Sequence, residues 1–161
     1  MQHHYKKIFF VYFVLCGLFA QIKLTVNAIP KRTDVLLDGK SIGKTPINKA
    51  MITTGEHKFE INKDGFAPLI YDLIVNPSEA VHFDFFLNPI YKVKFKTDEK
   101  GLIFELNGEH RWDDDLIRLK LEAGDHMLRV FKLGNIIDEQ TILVDEPKTF
   151  RYFLKKPISE E

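Results

Sequence analysis

From residue 22 onward the chain is written in short runs of alternating apolar and polar residues. Ile22-Lys23-Leu24-Thr25-Val26-Asn27 and Tyr91-Lys92-Val93-Lys94-Phe95-Lys96 both send every second side chain to an apolar face. That is the period of a half-buried β-strand. Reading the chain this way predicts strands at about 22–27, 34–38, 47–53, 57–63, 68–75 and 80–87. A second set falls at about 91–96, 102–106, 116–121, 126–132, 136–144 and 148–155. Asp38-Gly39 and Asn107-Gly108 read as tight hairpin turns, because glycine accepts positive φ. Lys63-Asp64-Gly65 is a further turn. No window carries helical periodicity long enough to compete, so the expected fold class is all-β.

The two sets of strands are copies of one another. Asp38 and Asn107, Gly55 and Gly124, His57 and His126, Gly65 and Gly134, and Val75 and Val144 are each 69 residues apart. Apolar positions between them match in kind, such as Phe59 with Leu128 and Ile61 with Val130. Turn glycines and core positions stay in phase without a gap, the mark of a duplication. The expectation is two tandem small β-sandwiches, 21–88 and 89–156, meeting near Asn88-Pro89 and packed end to end. A loose polar tail, 157–161, would follow.

The first twenty residues are a different material. Lys6 and Lys7 precede an uncharged run of thirteen, IFFVYFVLCGLFA. This fits a secretory signal peptide and is shorter than the roughly 20 residues of a spanning helix. Because residues 22–27 align with the strand 91–96, cleavage is expected after Ala20, which leaves Gln21 first. The alternative is an uncleaved membrane anchor. Cys16 is the only cysteine. Leu15 before it is too large for a lipoprotein signal, and the exported chain would hold no disulfide.

Composition narrows the function. Lys+Arg and Asp+Glu both number 23, so the formal net charge is zero. Removing residues 1–20 takes away two lysines and no acid, leaving 21 against 23, about −2. This balance argues against nucleic-acid binding, which needs a basic surface to neutralise phosphates.

The order Val35-Leu36-Leu37-Asp38-Gly39-Lys40-Ser41-Ile42-Gly43-Lys44-Thr45-Pro46, then Thr54-Gly55-Glu56-His57, then Lys63-Asp64-Gly65-Phe66, resembles a PEGA domain. The resemblance covers residues 22–88, with 91–156 similar to a diverged second copy. In that copy Glu109-His110-Arg111-Trp112-Asp113-Asp114-Asp115 replaces the GKTP segment. The resemblance implies immunoglobulin- or transthyretin-like sandwiches in exported and cell-envelope proteins, with no catalytic activity attached.

The candidate chemistry is sparse. Gly39-Lys40-Ser41-Ile42-Gly43-Lys44-Thr45 has three residues between its glycines where a phosphate loop has four, and no helix follows. It reads as a turn leading into Pro46. His57 and His126 each have one adjacent acid, whereas zinc needs three or four converging ligands. They read as strand-start residues. Asp113-Asp114-Asp115 lacks the alternation of a calcium loop. Trp112, with Arg111 and His110, is expected in a loop. There it could stack on a sugar or anchor a partner, or fold onto the interface between the units. Lys44 is added as a possible contact.

The sequence therefore predicts a non-enzymatic exported envelope module, without metal or cofactor, that binds another envelope protein or a cell-wall polysaccharide. A carbohydrate-binding module centred on Trp112 is the alternative. Membrane contact is expected only if the N-terminal segment is retained or lipidated.

Overall fold

The computed structural model describes residues 21–77 and 80–154. The expected signal segment, its cleavage point and the tail 157–161 lie outside the described residues, except that Gln21 already belongs to a strand. The described residues hold strands and no helix. The first unit contains β1 (Gln21–Ile29), β2 (Asp34–Leu37), β3 (Lys40–Lys44), β4 (Ile47–Thr53), β5 (Gly55–Asn62), β6 (Leu69–Val75) and β7 (Ala80–Phe86). The second contains β8 (Ile90–Thr97), β9 (Leu102–Leu106), β10 (His110–Trp112), β11 (Leu116–Glu122), β12 (Gly124–Lys132), β13 (Asn135–Val144) and β14 (Lys148–Tyr152).

Each unit is a three-stranded sheet beside a four-stranded one. The orders are β4-β1-β7 with β3-β2-β5-β6, and β11-β8-β14 with β10-β9-β12-β13. In each three-stranded sheet the first strand of the unit runs parallel to the last and antiparallel to the other neighbour. The alternation foreseen in the sequence supplies the inner faces. Leu24 and Val26 from one sheet join Val35, Phe59 and Ile61 from the other in one buried cluster. Val93 and Phe95 join Phe104, Leu106, Leu128 and Val130 in a second. Each unit thus closes on its own core, the arrangement that lets a sheet bury one face.

Two differences from the sequence reading stand out. Strands β3 and β10 were expected as a turn and a loop. Both are short edge strands with mostly exposed side chains, so they carry little alternation to read. The 69-residue spacing also changes at the last strand. Parallel partners stand 57 residues apart in the first unit, as with Asn27 and Asp84, and 55 apart in the second, as with Thr97 and Tyr152. The loop before β14 is two residues shorter, so Phe83 and Phe85 correspond to Phe150 and Tyr152.

The junction is held by main-chain bonds. Ala67 N–H donates to Asn88 O, Ile90 N–H to Gly65 O and Ala123 N–H to Pro89 O, each at 2.8 Å. The Asn88 side-chain amide donates to Ala123 O at 2.9 Å and to Glu122 Oε2 at 3.2 Å. The Asn88-Pro89 linker therefore hydrogen-bonds to the loops of both units.

Candidate functional site

The two histidines occupy matching clamps. Asp38 and Asn107 open their hairpins with φ of 51° and 55°, the left-handed conformation that Asp and Asn accept. Asp38 N–H donates to Lys58 O, and Lys58 N–H donates back to Asp38 Oδ1, both at 2.9 Å. Asn107 makes the same two bonds to Met127, both at 2.9 Å. The turn side chain then reaches the ring of the histidine just before.

His57 Nδ1–H donates to Asp38 Oδ2 at 2.7 Å, while its Nε2 lies 3.0 Å from Thr53 O and 3.2 Å from Thr53 Oγ1. In the second unit Asn107 Nδ2–H donates to His126 Nδ1 at 2.9 Å, and His126 Nε2–H donates to Glu122 O at 2.9 Å. Because Asn107 Oδ1 is held by Met127 N–H, the amide is oriented, and Nδ1 of His126 must accept. That fixes a neutral tautomer. Burial pushes the Asp38 carboxyl up, but the hydrogen bonds from His57 and Lys58 N–H outweigh it, and the group is held below its ordinary value. Each ring spans a hairpin and the residue four positions upstream, which ties a turn to the strand beginning at Gly55 or Gly124. Its hydrogen-bonding capacity is spent inside the protein. Among the described residues no three His, Cys, Asp or Glu side chains gather to hold a metal ion.

Trp112 lies in β10 rather than in a loop, and against its own core rather than at the junction. It faces Phe104 across the β9–β10 pair, stacked at 5.5 Å with the rings inclined by 17°, and tilts against Phe95 at 5.2 Å. The equivalent pair in the first unit is Val35 opposite Gly43. Phe59 is fully buried there, and Leu128 is fully buried at the matching place in the second unit. Phe104 and Trp112 thus supply volume where Leu128 is smaller than Phe59, as dense packing requires.

The remaining candidates are dispersed. Arg111 lies over the Phe131 ring at 4.9 Å and within 3.9 Å of Glu105, while His110 is exposed at the start of β10. Lys44 is in the other unit, paired with Asp34 at 2.6 Å. The structure therefore keeps Trp112, Arg111 and His110 on one short strand and does not bring Lys44 to them. Of the acidic run, Asp115 pairs with Lys100 and its carbonyl accepts from Thr97 N–H at 3.0 Å. The segment 39–45 holds strand β3, with no helix N-terminus for a phosphate.

One set of residues escaped the sequence reading. The outer face of β11-β8-β14 presents Lys92, Lys94 and Lys96 from β8 and Arg118 and Lys120 from β11, with one acid, Glu122, at the end of β11, where it accepts from the Asn88 amide. Lys94 stands directly opposite Arg118, and Lys92 opposite Lys120. On the other side Thr149 and Arg151 flank Lys94 and Lys96. The face borders an open groove of about 600 Å³ lined by Lys92, Lys94, Arg118, Lys120 and Lys148 among others. Its signal was the lysine at every second position of 92–96, but the register that sets Arg118 and Lys120 beside them is not written in the string.

Residues 21–90 match the family model of the PEGA domain. The first unit matches the PEGA domain family. The second unit, built on the same strand order, lies beyond that match. No curated protein matches the chain. Among solved structures, the chain is similar to the Bacillus anthracis TIE protein at 11% identity and a TM-score of 0.34, covering 84% of this chain and 34% of that one. It is similar to a Streptococcal ancillary pilin at 12% identity and a TM-score of 0.33, covering 84% and 62% respectively. The chain therefore spans less than two thirds of either structure, and likeness at this level carries no functional argument. An all-β chain that carries a PEGA domain fits an exported surface module.

Proposed function

We propose that the protein is a non-enzymatic module of the cell envelope that docks to another envelope protein or to cell-wall glycan. The observation that carries this reading is the PEGA domain at 21–90. Such domains are typically extracellular or periplasmic. The side chains with the strongest claim to chemistry, His57 and His126, support it by being engaged in matching structural clamps. Function on sandwiches of this kind resides in exposed faces, edges and loops. Trp112 as a sugar platform has no observation in its favour, since its ring stacks on Phe104.

Cell fractionation followed by sedimentation with isolated envelopes tests the reading. The expected result is recovery outside the cytoplasm and saturable retention on the envelope pellet. Recovery in the cytoplasm, or absence of retention, would overturn it. So would a hydrolytic or metal-dependent activity abolished by His57→Asn and His126→Asn in folded protein.

A further inference from the structure

The five cations on β8 and β11 are not needed to build the sheet. At the corresponding places the PEGA domain has Lys23, Thr25, Asn27, Lys49 and Met51 for Lys92, Lys94, Lys96, Arg118 and Lys120, and it forms the same three-stranded sheet. On the last strand the PEGA domain has Asp84, bonded to Asn27 at 2.9 Å, where the second unit has Arg151. Like charges directly across a strand pair are destabilising. Here they occur twice in succession, Lys92 with Lys120 and Lys94 with Arg118. Neighbouring basic residues do have acids, Arg151 with Asp98 at 3.1 Å and Lys148 with Asp145 at 2.6 Å. Among the described residues none of the five has an ion pair or a side-chain hydrogen bond to the protein. The chain as a whole is formally neutral, so this is local segregation of charge.

We infer that this face binds a linear acidic polysaccharide. Cations recur about 6.6 Å apart along β8 and roughly 5 Å apart between β8 and β11. That is a two-row array of like charge along one strand pair, complementary in sign to a chain that carries repeated carboxylates. The lysines act as point charges without the fixed fork of arginine, which suits a repetitive and conformationally variable anion. A membrane surface fits less well. Interfacial binding draws on buried apolar area, and the only large exposed apolar side chain on these two strands is Leu116 at one end of β11. This inference rests on the reading of the chain as an envelope-binding module and names the ligand class for it.

The test uses the full chain, labelled polygalacturonate as the probe, neutral dextran as the control and phosphatidylglycerol vesicles as the competitor. Polygalacturonate should bind, and the affinity should fall on the order of a hundredfold between 50 and 200 mM salt, as counterion release over about five contacts requires. The double change Lys92→Glu and Arg118→Glu leaves three cations and two anions at these five positions, each new acid opposite a lysine. It should cut affinity at least about tenfold while the melting temperature holds or rises. Lys23→Glu with Lys49→Glu makes the same change of total charge at the matching places of the PEGA domain and should alter affinity less than about threefold. Equal losses in the two double variants, equal binding to dextran, or displacement of the glycan by the vesicles would overturn the proposal. If polygalacturonate does not bind while the protein is still retained on envelopes, the glycan proposal falls and the module reading stands.

Discussion

His57 Nδ1 lies 2.7 Å from Asp38 Oδ2, and the copy of this contact in the second unit replaces the carboxylate with the Asn107 amide. The geometry is duplicated but the charge is not. Asp38 is held below its ordinary value, so the carboxylate contributes stability above its unfolded value near 3.8, and that contribution is lost as pH falls through the lower folded value. Asn107 has no such term. Asp38→Asn should therefore be accepted structurally, since it reproduces the second clamp. It should cost at most about 1 kcal/mol at neutral pH, because the Asp38 side chain is half exposed. Urea midpoints of the two proteins should converge below about pH 4. A difference that stays constant with pH would show that the carboxylate is not the source.

The glycines that begin β5 and β12 give a second expectation. Gly55 and Gly124 have φ of 123° and 132°, outside the left-handed well that Asp38 or Asn107 can use. A Cβ added at either would meet nothing within 4 Å, so the penalty of substitution is conformational. Gly55→Ala and Gly124→Ala should each destabilise by about 1–3 kcal/mol. Gly39→Asn, at φ of 74°, should cost clearly less. Thermal melts of the three variants check this, and equal shifts would contradict it.

Trp112 is predicted to matter for stability. Its ring fills space between Phe95 and Phe104 that the PEGA domain has no need to fill, because Phe59 is larger than Leu128. Trp112→Ala should destabilise the second unit by about 2–3 kcal/mol, toward the low end for a tryptophan because the residue is half buried. Trp112→Phe should restore most of that. If Trp112→Ala leaves chemical unfolding unchanged but abolishes glycan binding, the packing role is wrong.

Those residues also show what a sequence of this kind discloses. Asp38-Gly39 and Asn107-Gly108 were readable because positive φ restricts composition locally, and β1 and β8 because one buried face imposes alternation. The role of His57 was not readable, since its partner Asp38 is 19 residues away and is brought near by the β2–β5 register. Trp112 looked like a surface residue because its neighbours in sequence are charged, while its neighbours in space are Phe95 and Phe104. The basic face was half visible. The lysines of β8 were read as the polar half of a strand, and only pairing with β11 makes them a charged surface.

The second unit should also be the more alkali-sensitive one. Tyr152 is 4% exposed and meets Phe104 edge to face at 5.4 Å. Burial, with the charge of Asp138 and its hydrogen bond adding to it, pushes the phenol from 10.0 up to about 12. The folded state therefore favours the neutral phenol. Its contribution is fully present below about pH 10 and is lost as pH rises through about 12. Phe85 stands at the matching place of the PEGA domain and has no proton to lose. Across this window the parent should lose stability faster than Tyr152→Phe, with one phenolate absorbance rising late in the parent and missing from the variant. Parallel loss of stability in the two proteins would mean that the phenol ionises without being resisted by the fold.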